Sequence, residues 1–272
     1  NKIENNSSLN VGFIGAGTFA QNFLLPNIEN ATMTAVSTHQ GHSSRNIADK
    51  YGFAIATGDS DTIVNNPDIN TIFIATRHNL HAEFVLKSIK SGKNVFTEKP
   101  LCMSEKELEQ IVEAYKEVNL KEEKVRVMVG FNRRFSPHIQ KIKQLFNSNQ
   151  PKSINYRINS GFIPSDSWVQ DKEIGGGRII GEVCHFVDLA MYLAGSLPAS
   201  LQANAMVDAF GLMDTLSVNM SFKDGSIANV SYFSNGSKEL KKEYLEVFSN
   251  GVTAVVDDFK ELHIYTNKHK KT

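Results

Sequence analysis

The sequence predicts an α/β protein in two parts: a doubly wound parallel sheet, then an α+β domain with a largely antiparallel open sheet. Three observations predict it. Across residues 9–130, strand-sized apolar runs alternate with longer amphipathic stretches, and parallel strands need crossovers that helices supply. A glycine-rich turn stands directly after the first run. Beyond Pro151 a single helix-like stretch remains among many strand-like runs, with Asp224-Gly225 and Asn250-Gly251 between runs, and such dipeptides are the strongest short hairpin signals.

In the first part the strand-sized runs are 11–14, 34–36, 72–75, 95–97 and 125–129, with helices fitting between them. Ser104 with Glu107 forms a capping box ahead of Leu108, Ile111 and Val112, each side chain serving the other's backbone N–H. Gly92 closes residues 80–91 as a C′ residue, and Ser136-Pro137 supplies a cap and an N1 proline for 139–146. In the second part the helix spans 179–193 and ends at Gly195, and the strands are 201–207, 216–222, 227–233, 244–248 and 253–256, with another around 262–265. The expected domains are 1–131 and 132–272.

The chain has 272 residues, with 29 Lys+Arg against 29 Asp+Glu. This balance argues against a nucleic-acid partner, because phosphate binding needs clustered uncompensated basic charge. Two cysteines cannot staple a chain of this length, and no Cys/His spacing suits zinc or another metal, which points to a reducing compartment. The first ten residues lack a basic-then-apolar leader, and no apolar run reaches the ~18 residues of a membrane helix. A cytoplasmic location is expected. The missing initiator Met leaves open a processed form or a fragment.

Val11-Gly12-Phe13-Ile14-Gly15-Ala16-Gly17-Thr18-Phe19-Ala20 reads as strand, tight turn and helix, in the pattern G-x-G-x-x-A. The first glycine permits the turn, the second lets backbone approach a pyrophosphate, and small Ala20 lets helix pack on strand. This predicts a Rossmann domain that binds NAD or NADP through Gly15, Gly17, Thr18 and Phe19. About 20 residues on, where an acidic residue usually meets the NAD ribose, the sequence offers Val36-Ser37-Thr38-His39-Gln40. Ser37, Thr38, His39 and Arg45 suit the 2′-phosphate of NADP, while Ser37 or Thr38 hydrogen-bonding the NAD hydroxyl is the alternative.

Val95-Phe96-Thr97-Glu98-Lys99-Pro100 puts Lys99 just past a strand's carboxyl end, where open α/β sheets bind ligands. A lysine held there can bond a substrate oxygen, stabilise alkoxide charge and help move the hydroxyl proton. In isolation, a solvated surface lysine fits the same sequence.

Glu-Lys-Pro at this distance from G-x-G-x-x-A, preceded by Thr71-Ile72-Phe73-Ile74-Ala75-Thr76 and Asn79-x-His81, resembles the glucose–fructose oxidoreductase/inositol dehydrogenase (Gfo/Idh/MocA) family. Gly130-Phe131-Asn132-Arg133-Arg134-Phe135 and the stretch 175–188 extend the resemblance, which is strongest to the inositol-dehydrogenase-like half of bi-domain oxidoreductases. It implies an NAD(P)-dependent oxidoreductase for sugars, cyclitols or polyols, with a substrate domain that often forms a homo-oligomer through its sheet. It also implies that Lys99 is catalytic, that Glu98 positions the turn, and that Thr76, Asn79 and His81 flank the nicotinamide. The family usually adds a C-terminal helical segment after the last strand, so the second domain is expected to be shortened.

Gly175-Gly176-Gly177-Arg178-Ile179-Ile180-Gly181-Glu182-Val183-Cys184-His185-Phe186-Val187-Asp188 gives a loop able to pass close to a ligand, then a helix with Glu182, His185 and Asp188 near one face. Histidine beside a carboxylate suits acid–base work at neutral pH, and a helix-packing histidine with a local ion pair is the alternative. The resemblance favours catalysis by His185 and exposes a departure: the aspartate expected four residues earlier is Gly181. Either Glu182 substitutes from the next position or the role is lost. Arg133 and Arg134, with Arg178, are the local residues that could read an anionic sugar, unless the first two make salt bridges. Trp168 either stacks on a sugar or packs its loop. Two further functions stay open: NAD-dependent glycoside hydrolysis, and non-catalytic NAD(P) binding.

Overall fold

Six parallel strands form the sheet of the first unit: β1 (Leu9–Ile14), β2 (Ala31–Ser37), β3 (Ile55–Thr57), β4 (Thr71–Ile74), β5 (Asn94–Thr97) and β6 (Val127–Val129). The computed structural model describes residues 9–39, 41–120, 124–146, 150–208 and 211–267. Residues 1–8, read above for a leader, lie outside them. The chain divides into two units, Asn1–Gly130 and Phe131–Thr272.

The strand order β3-β2-β1-β4-β5-β6 reverses direction between β1 and β4, which opens a crevice at their carboxyl ends. One core joins Ile14, Ile72 and Ile74 to Val85 and Ile89 of α3 (His81–Lys90) and Ile111 of α4 (Glu105–Leu120). A second core joins Phe13 and Val36 to Ala20, Leu25, Phe53 and Ile47 of α1 (Gly41–Tyr51). Successive side chains of a strand point to opposite faces, so Phe13 and Ile14 feed different cores. A short helix, α2 (Asp61–Val64), adds Ile63.

Two local expectations change. After the glycine turn the expected helix forms over residues 18–27, but mostly as a π-helical turn, Ala20–Leu24, and a 3-10 turn, Leu25–Asn27, in place of regular α-helix. Pro26 has no N–H to continue the ladder. The three-residue strand β3 carried no periodic signal. The caps form as their chemistry dictates: the Glu107 N–H donates to Ser104 Oγ (3.3 Å) and the Ser104 N–H to Glu107 Oε2 (3.1 Å). The Ile139 N–H donates to Ser136 Oγ (3.2 Å) at the head of α5 (Pro137–Leu145).

The second unit carries a seven-stranded sheet in the order β13-β12-β11-β7-β10-β9-β8. Its strands are β7 (Ser153–Asn159), β8 (Pro198–Met206), β9 (Thr215–Phe222), β10 (Ile227–Phe233), β11 (Glu243–Ser249), β12 (Val252–Asp257) and β13 (Glu261–Thr266). Every pairing is antiparallel except β7 with β10. Ile139 and Ile142 of α5 and Phe186, Leu189 and Leu193 of α6 (Cys184–Ala194) share one core with Tyr156, Val218 and Val230. A broad groove of about 580 Å³ is lined by residues including Asn155, Gln202, Asn219, Asn229 and Phe248. The helix expected over 179–193 begins as a π-helical turn, Ile179–Val183, before α6.

Candidate active site

The carboxyl edge of the first sheet is continuous. The Gly15 N–H donates to the Ser37 carbonyl (2.9 Å), Ala75 to Ile14 (2.9 Å), Glu98 to Ile74 (2.8 Å) and Gly130 to Thr97 (2.8 Å). Gly15 has φ +79°, and a Cβ there would lie 2.7 Å from both the Ala75 oxygen and Thr76 Cγ2, whereas one on Gly17 would meet nothing within 4 Å. The turn is thus sterically closed behind Gly15 and open before Gly17. Exposed Gly17 and Thr18 suit a pyrophosphate resting on backbone N–H groups, and so these residues fit a dinucleotide. Phe19 is 44% exposed and lies 5.2 Å from the Phe23 ring.

At the end of β2 the candidates for a 2′-phosphate are engaged within the fold. Ser37 is buried, its hydroxyl 2.8 Å from that of Ser60. The Thr38 hydroxyl lies 2.9 Å from Ser44 Oγ, which itself donates to the Thr57 carbonyl (2.7 Å). Arg45 pairs with Asp49 one turn on, at 3.1 Å, with both side chains largely exposed, and His39 is exposed.

Lys99 follows β5, half-buried, and Lys99-Pro100 is a cis peptide. Glu98 lies over Gly130, where a Cβ would approach Oε1 to 2.7 Å. Burial raises the Glu98 pKa, and the Lys99 charge opposes the rise. Thr76 is half-buried and its hydroxyl donates to the Arg77 carbonyl (3.1 Å), while Asn79 is exposed. His81, expected beside the nicotinamide, is turned inward. It is 1% exposed, with Nδ1 2.6 Å from the Pro100 oxygen and Nε2 3.2 Å from the Thr76 oxygen. Both ring nitrogens face the protein's own carbonyls.

In the second unit, His185 is the second residue of α6, buried against Phe131 and Phe186 with ring centroids 6.0 and 6.4 Å away. Glu182 is held elsewhere. Its carboxylate accepts from Lys242 Nζ (2.6 Å), Arg178 Nη2 (3.1 Å) and the Tyr232 hydroxyl. Burial would raise its pKa, but the Lys242 charge and hydrogen bond, Tyr232 and Arg178 outweigh it and bring it down to about 2. A carboxylate so anchored stays anionic at neutral pH and is engaged by three side chains of its own fold.

The other substrate candidates are also paired. Arg133 makes a bidentate pair with Glu243 (2.8 and 2.6 Å) over the Phe186 ring, and the Tyr156 hydroxyl donates to the same carboxylate. Burial disfavours the Arg133 charge, yet Glu243 more than compensates and raises its pKa. Arg134 holds Asp188 through Nε (2.6 Å) and Nη2. Arg178, 1% exposed, donates to the Gly161 oxygen (2.6 Å) beneath the Tyr232 ring. These arrangements match the salt-bridge alternative for the arginine pair and leave Arg178 inaccessible to a substrate. Trp168 is 38% exposed, in the loop before Gly175.

Tyr232, Lys242, Tyr156 and Glu243 were missed as partners of these groups. Tyr156 and Tyr232 alternate inward with Ile154, Ile158 and Val230, a period-2 signal that marks core and says nothing of the hydroxyl. Among the described residues, no three His, Cys, Asp or Glu side chains gather to hold a metal ion, and no helix is long and apolar enough to cross a membrane.

A parallel sheet with a glycine turn at its switch point and a lysine beyond β5 defines a dinucleotide-binding oxidoreductase class. The model of the oxidoreductase family with an NAD-binding Rossmann fold matches residues 9–131, and that of the Gfo/Idh/MocA C-terminal domain matches 139–253. The chain belongs to the Gfo/Idh/MocA oxidoreductase family. It is 26% identical over 258 residues to the uncharacterized oxidoreductase YrbE of Bacillus subtilis (strain 168), covering 91% of this chain and 73% of that one. It is 26% identical over 230 residues to myo-inositol 2-dehydrogenase of Thermotoga maritima, covering 80% and 66%. The solved levoglucosan dehydrogenase in complex with NADH and levoglucosan has the same fold, with a TM-score of 0.83 at 22% identity over 97% of this chain and 78% of that one.

Proposed function

We propose that this chain binds NAD(H) on the turn from Gly15 to Phe19 and transfers hydride to or from a hydroxyl-bearing carbon of a sugar, cyclitol or related polyol. One observation carries the reading: the open space before Gly17 and the half-buried Lys99 share one carboxyl sheet edge, separated only by the end of β4. Relatives named for myo-inositol and levoglucosan support the substrate class.

When bound, the nicotinamide accepts or donates the hydride, and the protein positions and polarises. The Lys99 ammonium bonds the substrate oxygen and stabilises its developing negative charge. His185 is the acid–base residue of the second unit, and Glu98 and Thr76 border the cofactor side of Lys99. Arg133, Arg134 and Asp188 shape the second unit through their ion pairs, and Trp168 offers an exposed ring for a sugar face. NAD(H) is favoured over NADP(H) by the match to a family model with an NAD-binding Rossmann fold. A homo-oligomer would form through the second unit's sheet.

The test is a panel of polyols, aldoses and nucleotide sugars, followed by nicotinamide absorbance, with Lys99→Met in parallel. Turnover lost with dinucleotide affinity retained supports the reading, and undiminished turnover removes Lys99 from the mechanism. The anchoring of Glu182, with Gly181 in place of an aspartate, favours a second reading as a non-catalytic dinucleotide-binding protein. Dinucleotide binding with no turnover across the panel would select it.

A further inference from the structure

We infer that His81 is the positioning residue for Lys99: its neutral imidazole, protonated at Nδ1, donates to the Pro100 carbonyl and fixes the turn that presents the lysine. The inference rests on the reading of Lys99 as catalytic. His81 is the first residue of α3, entered from a 3-10 turn, His78–Leu80, that follows β4, and Pro100 lies in the loop after β5. These strands are neighbours in register, Ile74 beside Thr97. One ring therefore spans two adjacent strand ends, 2.6 Å from the Pro100 oxygen and 3.2 Å from the Thr76 oxygen.

A neutral imidazole has a single N–H, whereas His81 faces two carbonyl acceptors. The shorter contact takes the proton, which places it on Nδ1. Protonating Nε2 as well would serve Thr76 but would create a charge in a site that is 1% exposed. The groups around the ring oppose that charge. Burial foremost, and the Lys99 ammonium in addition, lower its pKa, against hydrogen bonds that the ring gives to the backbone of Pro100, Thr76 and Glu98. The His78 ring lies 5.8 Å away. The neutral Nδ1–H tautomer thus ties Pro100, the residue bonded to Lys99, to the first turn of a rigid helix.

Three measurements on the full chain test this. Long-range ¹H–¹⁵N correlation of the histidine rings should show His81 neutral with the proton on Nδ1 at neutral pH. An Nε2–H or doubly protonated ring overturns the inference, and this needs no variant to fold. His81→Asn places an amide near the Nδ1 position and His81→Gln near the Nε2 position. The ¹³C-dimethyl signal of Lys99, assigned by its loss in Lys99→Met, should move in His81→Gln and stay in place in His81→Asn. The same displacement in both, or in neither, overturns the inference.

In turnover, misplacing a catalytic group by an ångström costs about 10²-fold. His81→Gln should therefore lose about that factor in kcat with dinucleotide Kd unchanged, and His81→Asn should restore it to within about threefold. Full turnover in Lys99→Met would sink the assignment of Lys99 as catalytic, leaving the two NMR readouts to decide the role of His81.

Discussion

Lys242 Nζ lies 2.6 Å from Oε1 of Glu182. With Arg178 and Tyr232 on the other oxygen, the carboxylate that stands nearest the missing aspartate in sequence becomes the hub of a structural ion-pair network. Its four members come from the π-helical turn, its N-cap, β10 and the residue before β11, so it ties the helix entry to the sheet.

The pH dependence of stability should expose this hub. The Glu182 pKa falls from the ordinary 4.5 to about 2, so the group stabilises the fold fully above pH 4.5 and its contribution is lost as pH falls through 2. Integrated, this amounts to at most about 3 kcal/mol. Urea unfolding of the wild type between those limits should show a steeper loss than Glu182→Gln. Parallel pH profiles would contradict the network.

Gly15 and Gly17 should separate folding from binding. Gly15→Ala forces a Cβ to 2.7 Å from the Ala75 oxygen at φ +79° and should destabilise by about 1–3 kcal/mol. In Gly17→Ala the added Cβ meets nothing within 4 Å beyond its chain neighbours, so thermal unfolding should stay near wild type while dinucleotide Kd, measured by calorimetry and compared also for Gly17→Val, rises at least about tenfold. Unchanged affinity in Gly17→Val would move the pyrophosphate elsewhere.

The two cofactors should bind unequally. NAD(H) is expected to bind about tenfold more tightly than NADP(H), a difference of roughly 1.4 kcal/mol. Arg45→Ala removes the one exposed cation of the candidate set at this end of β2, and it should weaken NADP(H) further while leaving NAD(H) within about twofold. Tighter NADP(H) binding by the wild type would reverse the assignment.

Glu243 should prove essential to the second unit. Its carboxylate is the bidentate partner of Arg133, whose side chain is only 16% exposed, and removing one member of a buried pair costs about 3–5 kcal/mol. Glu243→Ala should lower the urea midpoint accordingly. Replacing both partners, as in Arg133→Met with Glu243→Leu, should recover much of the loss, because no charge is left uncompensated.

Much of the fold was legible in short-range signals. The glycine turn, the capping box at Ser104 and Glu107, the cap at Ser136 and the Asn250-Gly251 hairpin all rest on chemistry between residues a few positions apart, and each formed. Strand β7 was not predicted, although it is central to its sheet and pairs with both β10 and β11. Ser153, Asn155 and Arg157 on its outer face break the apolar run that would have announced it. The helix expected after Gly17 formed, but its π-helical and 3-10 turns, with Pro26 in the last of them, were not legible in the pattern. At the candidate site, Lys99 and His185 were marked by sequence, while the inward turn of His81 was not, since nothing local tells which carbonyl a ring will meet.

The βαβ alternation, the glycine turn and the placement of Lys99 past a strand end follow from local chain chemistry, because backbone sterics, prolines and caps act within a few residues. Which charges neutralise one another is set by long-range packing. Arg133 meets Glu243 across 110 residues, Arg134 meets Asp188 across 54 and Lys242 meets Glu182 across 60. Those pairings follow from the packing of helices on a sheet whose strand order departs from chain order. Burial makes the Arg133–Glu243 pair obligatory, because an ion removed from water keeps its charge only beside a partner.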